Sequence, residues 1–210
     1  DAEEIEAAFA TVTTDFSAGA VGTVTKDDTG DYSVSAGELT NLGGDVALYT
    51  FDHDGERKLM VCERNYGAAD SVYIYNPASL DQAPESNPAI GNNIRGAVAQ
   101  GDSLYLVNYN APTSVTKHDI AGGYEEAASC DLASAVSSDF LRHAGALFYE
   151  EGFLYAVAEV SNFSTFAHQN GLLFKIDPSS MSIVESADIG GKNPMGAATL
   201  ALISDLDGEL

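Results

Sequence analysis

Four positions spaced about fifty residues apart, Asp45, Arg95, His143 and Met195, each open a similar apolar run. Polar groups end the run that follows: Glu63, Arg64 and Asn65, then Asn108, Tyr109 and Asn110, then Glu159 and Asn162. If the repeated units converge on one axis, carboxylates, guanidiniums, amides and an imidazole meet there. Different polar groups converging on a concavity are what a ligand site requires. The predicted ligand-binding set is therefore Asp45, Arg64, Arg95, Asn108, His143 and Glu159. The same groups could instead pair with one another, Asp45 with Arg95 for instance, and hold neighbouring units in place.

Other candidate chemistry has simpler explanations. Asp52-His-Asp-Gly-Glu and Asp205-Leu-Asp-Gly-Glu resemble the opening of a calcium loop, making Asp52, Asp54, Asp205 and Asp207 the candidate calcium ligands. Both stretches run straight into an apolar segment without a distal carboxylate, and Asp-Gly is also a favoured two-residue hairpin turn. The hairpin accounts for them, so no metal or other cofactor is required. Lys26-Asp-Asp-Thr-Gly-Asp reads as a turn on the same grounds. His53, His118, His143 and His168 show no spacing that puts two on one strand face, which leaves zinc unsupported. His53 and His118 are expected at the surface. No Gly-x-Ser-x-Gly elbow is present. Cys62 lies in an apolar run and reads as a buried thiol; two cysteines are too few for a disulfide scaffold, and a Cys62 to Cys130 bridge stays open.

These residues hang on a repeated scaffold. Asp45-Val-Ala-Leu-Tyr, Arg95-Gly-Ala-Val-Ala and His143-Ala-Gly-Ala-Leu lead through the turns Asp54-Gly55, Gly101-Asp102 and Glu151-Gly152 into second apolar runs; Met195-Gly-Ala-Ala-Thr leads to Asp207-Gly208. A third strand follows at Ser71-Val-Tyr-Ile-Tyr, Ser114-Val-Thr-Lys-His and Gly171-Leu-Leu-Phe-Lys-Ile. Weaker fourth strands lie around Glu126 to Leu132 and Ser182 to Ile189, with a less regular one before Gly91. Four antiparallel strands recurring at this period predict an all-β fold, a β-propeller with about four four-stranded blades in this chain. The single domain divides into 1–44 (strands two to four of one blade), 45–94, 95–142 and 143–194 (one blade each) and 195–210 (first strand of the next or shared blade). Residues 2–8 also fit a short acidic helix. The ends either complete one shared blade of a closed four-bladed ring or belong to a larger ring, finished by another chain or a second copy.

Val12-Thr-Thr-Asp-Phe-Ser-Ala-Gly, Leu104-Tyr-Leu-Val-Asn-Tyr-Asn, Leu173-Phe-Lys-Ile-Asp-Pro and Gly191-Lys-Asn-Pro-Met-Gly resemble the bacterial and archaeal exported propellers with YVTN-type repeats. These are similar in fold to the lactonase-like and quinoprotein amine dehydrogenase-like groups. The resemblance covers most of the chain, and its motifs encode strand ends and turns. It implies a protein outside the cell, at the cell surface or in the periplasm. Because such groups have seven or eight blades, it also implies that four units are an incomplete ring. It carries over no catalytic residues. By analogy it supplies an enzymatic alternative, hydrolysis of a small lactone or ester with His143 as general base and Arg95 stabilising the oxyanion. The primary expectation is a binding or interaction module for a protein, small-molecule or glycan ligand. The third is a structural subunit of a surface layer or filament, pairing through blade edges.

The chain of 210 residues is 45% hydrophobic and 20% charged, ordinary for a folded protein. Its 32 acidic and 9 basic residues give a formal net charge of −23, which makes nucleic acid and anionic membrane surfaces poor partners. No apolar run is long enough to span a bilayer, and no signal peptide stands at the start; the polar, acidic opening at Asp1 fits a mature exported product. The acidity fits a solvated exported surface, adaptation to high salt, or calcium binding. Salt screens such self-repulsion, with a Debye length of about 10 Å at 0.1 M. The midpoint of thermal unfolding is therefore expected to climb as NaCl is raised from low values. A midpoint indifferent to both NaCl and calcium chelation would remove the high-salt and calcium readings.

Overall fold

The computed structural model describes residues 4–13, 17–64, 70–109, 113–133, 135–137 and 139–194. Met195, the strand expected after it, Asn65, Asn110, Asp205 and Asp207 lie outside the described residues. The fold is all-β, with four antiparallel sheets in chain order. The first holds β1 (Glu4–Val12), β2 (Gly19–Lys26) and β3 (Tyr32–Leu42); the second holds β4 (Val46–His53), β5 (Glu56–Glu63) and β6 (Ser71–Tyr75). The third holds β7 (Ile94–Gln100), β8 (Ser103–Asn108), β9 (Ser114–Asp119) and β10 (Glu125–Asp131). The fourth holds β11 (Ala135–Ser137), β12 (Phe140–Glu150), β13 (Phe153–Asn162), β14 (Ala167–Asp177) and β15 (Ser182–Lys192). Bridges from Ser71 to Ala89 and from Ile74 to Ser86 give the second sheet an irregular fourth edge beside β6. Where an acidic helix was the alternative, the backbone of residues 4–12 is instead taken up by the ladder with β2. Among the described residues no helix is long and apolar enough to cross a membrane.

Local chemistry explains the hairpins. Asp54 (φ 52°) and Gly55 (φ 77°) join β4 to β5, and Glu151 (φ 47°) and Gly152 (φ 87°) join β12 to β13. Two consecutive positive φ values match the right-handed twist of the flanking strands. In the turn between β2 and β3, Asp27 accepts from the Thr29 backbone N–H (2.8 Å) and hydroxyl and from the Asp31 N–H (2.9 Å).

The sheets stack through both faces. Within β5, Leu59 and Val61 join a core with Val21, Val46, Tyr75 and Leu80, while Met60 and Cys62 join Ile94, Leu104 and Leu106 on the opposite side. The unbroken apolar run is thus two alternating sets, each serving a different core. β8 repeats the device: Leu104 and Leu106 face the second sheet, while Tyr105 and Val107 join Leu147, Leu154, Ala156 and Phe174 of the fourth. Contacts between neighbouring sheets run from β1 to β4, β4 to β7 and β7 to β12. Cys62 and Cys130 are free thiols in separate cores, and burial pushes the pKa of each up.

Buried polar groups tie the second sheet to the third and the third to the fourth. Asp70, fully buried, accepts from the backbone N–H of Asn93 (3.0 Å) and of Ile94 (2.7 Å), and the Tyr49 hydroxyl donates to the Ile94 carbonyl (3.0 Å). One unit later, the Thr113 hydroxyl lies 3.0 Å from the Tyr109 carbonyl and 3.1 Å from that of Arg142. His118, expected at the surface, is 2% exposed on the inner face of β9. Its Nδ1–H donates to the Tyr124 carbonyl (3.0 Å), so its Nε2 accepts from the Thr116 hydroxyl (2.9 Å), which in turn accepts from Asn108 Nδ2 (3.2 Å). That chain requires a neutral ring, and burial lowers the His118 pKa accordingly.

Two consequences are measurable. Asp70→Ala strands two buried N–H groups and is expected to lower unfolding free energy by roughly 2–3 kcal/mol in urea titrations; a loss no larger than that of an exposed Asp→Ala control would remove Asp70 as a tie. Because the unfolded chain binds the His118 proton more readily than the folded one, this contribution is full above the ordinary histidine pKa of about 6.5 and fades as pH falls below it. Between about pH 7.5 and about pH 5.5 stability should drop, and His118→Gln should flatten that drop. A variant as pH-sensitive as the parent would assign the effect elsewhere.

Candidate functional site

Between the third and fourth sheets, five strands and their turns enclose a cavity of about 370 Å³ lined by Arg95, Tyr109, His143, Glu159, Asn162, Phe163 and neighbours. The positions of its groups follow from strand pairing and from three irregularities in it. The extra residue is Arg95 where β7 pairs with β8 and Gly145 where β12 pairs with β13; where β13 pairs with β14 it lies on β14, with Asn170 and Gly171 opposite Glu159. A bulge of this kind re-aims a side chain that regular pleating would place elsewhere. Next to Arg95, a Cβ on Gly96 would come within 2.8 Å of the Leu147 backbone nitrogen, so glycine lets β7 approach β12 closely.

His143 and Glu159 face one another across β12 and β13. Glu159 is buried and accepts the hydroxyl proton of Tyr109 and, at 3.5 Å, that of Ser161. Its other oxygen lies 3.7 Å from His168 Nδ1, a buried nitrogen with no hydrogen-bond partner among the described residues. His143 Nδ1 lies 3.4 Å from the Tyr109 carbonyl, which can only accept, so Nδ1 carries the proton and Nε2 the lone pair. Burial holds its pKa below the ordinary histidine value, keeping the ring neutral at pH 7. The rings of His143 and Phe163 stack with centroids 4.2 Å apart, with Tyr109 tilted 5.2 Å from His143. The Arg95 guanidinium sits 5.1 Å from the centre of the Tyr109 ring, within cation–π range.

Arg95 also lines a second cavity, of about 700 Å³, with Asp45, Arg64, Gly44, Val46, Ala10 and Val12. There Asp45 pairs with Arg64 (Nη1 to Oδ1, 3.1 Å) rather than with Arg95, because Asp45 and Arg64 already share a backbone hydrogen bond at the end of the β4 and β5 ladder (2.8 Å). The six predicted residues thus separate. Arg95, His143 and Glu159 meet in the first cavity, and Asp45 and Arg64 meet Arg95 in the second. Asn108 lies apart, buried: it accepts from the Asn92 N–H (2.8 Å) and donates toward Ser114 and Thr116. Glu63 likewise serves structure, accepting from the Gly43 N–H (2.8 Å) and the Tyr73 hydroxyl (3.2 Å).

Of the calcium candidates among the described residues, Asp52 is engaged by Arg57 through both carboxylate oxygens. Asp54 joins His53 and Asp102, whose potential ligand atoms lie within 4.8 Å of one another at the tips of two hairpins. His53 Nε2 is 3.2 Å from Asp102. The first cavity contains residues that sequence reasoning missed, notably His168, Phe163 and Phe166. His168 reaches Glu159 from β14, an adjacency that spacing along one strand cannot reveal. Phe163 and Phe166 are 52% and 82% exposed in the turn between β13 and β14, and two aromatics in one short polar turn were the available signal.

No family model matches the chain, and no curated protein matches it. Among solved structures it is similar to the crystal structure of Myxococcus xanthus glutaminyl cyclase, with 14% sequence identity and a TM-score of 0.45 over 88% of this chain and 75% of that one. A likeness of that size establishes neither a common fold nor a common function.

Proposed function

We propose that the chain is part of a β-propeller that works outside the cell or at its surface as a binding module, with a small ligand in the cavity of Arg95, Tyr109, His143 and Glu159. A larger ring, finished by another chain or a second copy, fits this reading. Support for the architecture comes from four consecutive antiparallel sheets whose strands touch in the order β1, β4, β7 and β12. The observation that carries the binding reading is the cavity itself. It joins ring faces, a cation, a buried carboxylate and the Asn162 amide, whose oxygen is occupied by the turn while its nitrogen carries no hydrogen bond among the described residues. Apolar walls with a few convergent polar groups are the usual form of a small-molecule site.

A hydrolytic reading draws on one specific feature, the unprotonated Nε2 of a neutral His143. Ligand-observed NMR with a panel of monosaccharides, lactones, esters and short peptides separates the two. Under the binding reading, compounds bind unchanged and lose at least about tenfold in affinity, about 1.4 kcal/mol, in Arg95→Ala and in His143→Ala. Turnover of a lactone or ester that vanishes in His143→Ala would replace that reading with the hydrolytic one. Hits whose affinity survives both substitutions would place the ligand elsewhere.

A further inference from the structure

Three of the chain's four arginines, Arg64, Arg95 and Arg142, carry a buried Nε that meets no hydrogen-bond partner among the described residues. With 32 acidic and 9 basic residues, carboxylates are in large excess, and other cations use them: Arg57 is held by Asp52, and Lys58 by Glu56 and Glu85. Arg142 lies over the Phe174 ring. Arg64 and Arg95 share the larger cavity, where the acidic lining residue is Asp45, already on Arg64. Arg95 makes a cation–π contact and no ion pair among the described residues. Among the described residues the cavity therefore presents two positive charges against one negative, with the Arg95 guanidinium uncompensated by any of them. Sheltered charge without a partner is costly, which marks the position as one completed by an anion.

The placement of Arg95 is fixed independently of any ion pair. It is the bulged residue of β7, and the two backbone N–H groups just before it are those pinned by Asp70. With its Nε buried, a guanidinium held this way offers its two terminal Nη groups as a fork that fits a carboxylate with two parallel hydrogen bonds. Local charge favours a monoanion, since a phosphate dianion would meet the Asp45 carboxylate with its second charge. On its other side Arg95 opens onto the first cavity, where Phe163 and Phe166 supply exposed apolar faces and Glu159, Asn162 and His168 supply polar ones.

The geometry points to a small carboxylate-bearing ring, a uronic acid or an aromatic acid, as the ligand. Its carboxylate lies on Arg95 with Arg64 beside it, and its ring lies against Phe163 and Phe166. This rests on the binding reading of the same cavity and adds the ligand's charge and shape. The test uses the whole chain with ¹⁵N-labelled arginine, following the Nε–H signals during titration with galacturonate and benzoate. Galactose, benzamide, acetate and inorganic phosphate are the comparison probes. The expected result is a saturable shift of the Arg95 and Arg64 signals with galacturonate or benzoate, Arg57 staying in place. Affinity should exceed that for the matched neutral ring, for acetate and for phosphate by at least about tenfold. Which of the two acids binds identifies the ring as sugar or arene. Arg95→Gln should abolish the preference for the acid over its neutral counterpart, and Arg95→Lys, which keeps the charge but loses the fork, should weaken it.

Neutral rings that bind as tightly as the acids, with His143→Ala still disrupting them, would overturn this inference and leave the binding reading standing. Phosphate or acetate matching the ring acids would overturn it too, since the site would then select charge without the ring. No shift of Arg95 with either acid at about 10 mM would also overturn it, and the absence of binding by every ring compound would remove the binding reading as well.

Discussion

The carboxylate of Asp70 is the point on which the middle of this molecule turns. It lies fully buried just before β6, in the second sheet, yet it accepts two hydrogen bonds from the backbone where the third sheet begins. Apolar packing between sheets is strong but tolerant of sliding, because dispersion and burial have no direction. A buried carboxylate is not tolerant: it must keep its donors or bear the cost of desolvation. The tie therefore sets how far β7 stands along the second sheet, and with it where the bulge at Arg95 falls. Thr113 repeats the arrangement one unit later with a hydroxyl, touching the carbonyl of Arg142 next to His143. The backbone beside Arg95 and beside His143 is thus held by a polar contact made one sheet away.

This division of labour explains why the cavity residues can be chemically diverse. The faces of the inner sheets are filled with alternating aliphatic residues that serve two cores at once, as Leu59 with Val61 and Met60 with Cys62 show. At the strand ends those constraints lapse. Arg95, His143 and Glu159 vary in chemistry where packing requires only that the backbone arrive in the right place. The bulges matter for the same reason. By leaving Arg95 out of the ladder, the bulge in β7 frees its side chain from the two-face alternation that governs the rest of the strand.

What the sequence made legible follows from how local each signal is. Asp54-Gly55 and Glu151-Gly152 announced hairpins because their backbone conformation depends on those two residues. The column of Arg95 and His143 was legible because the repeat places equivalent strands in equivalent positions, and both line one cavity. Asn108 belonged to a similar column, yet its side chain is consumed by Asn92, Ser114 and Thr116, partners that no repeat announces. His118 misled for a related reason: flanked by lysine and aspartate it looks solvated, but its side of β9 faces inward, and Thr116 and Tyr124 satisfy both ring nitrogens. His168 entered the cavity through the pairing of β13 with β14, and Phe163 through the turn that joins them. Asp70 sits in a stretch of small residues where nothing nearby foretells a tie across sheets.

A chain with a net charge of −23 ought to place its arginines where they neutralise the most repulsion, on the surface among the carboxylates. Arg57 does so, held by Asp52. Arg64 and Arg95 do not: Arg64 keeps a side chain only 13% exposed, and both spend their charge inside a cavity. Long-range repulsion from the acidic surface is damped within about 8 Å by physiological salt, whereas charges inside a sheltered cavity interact through a medium that screens them less. An anion near the mouth therefore responds to the nearest guanidiniums more than to the distant carboxylates. The placement makes physical sense if the local field in the cavity is what selection has acted on, and it depends on the polar ties and the bulge that keep Arg95 in position without a counter-charge among the described residues.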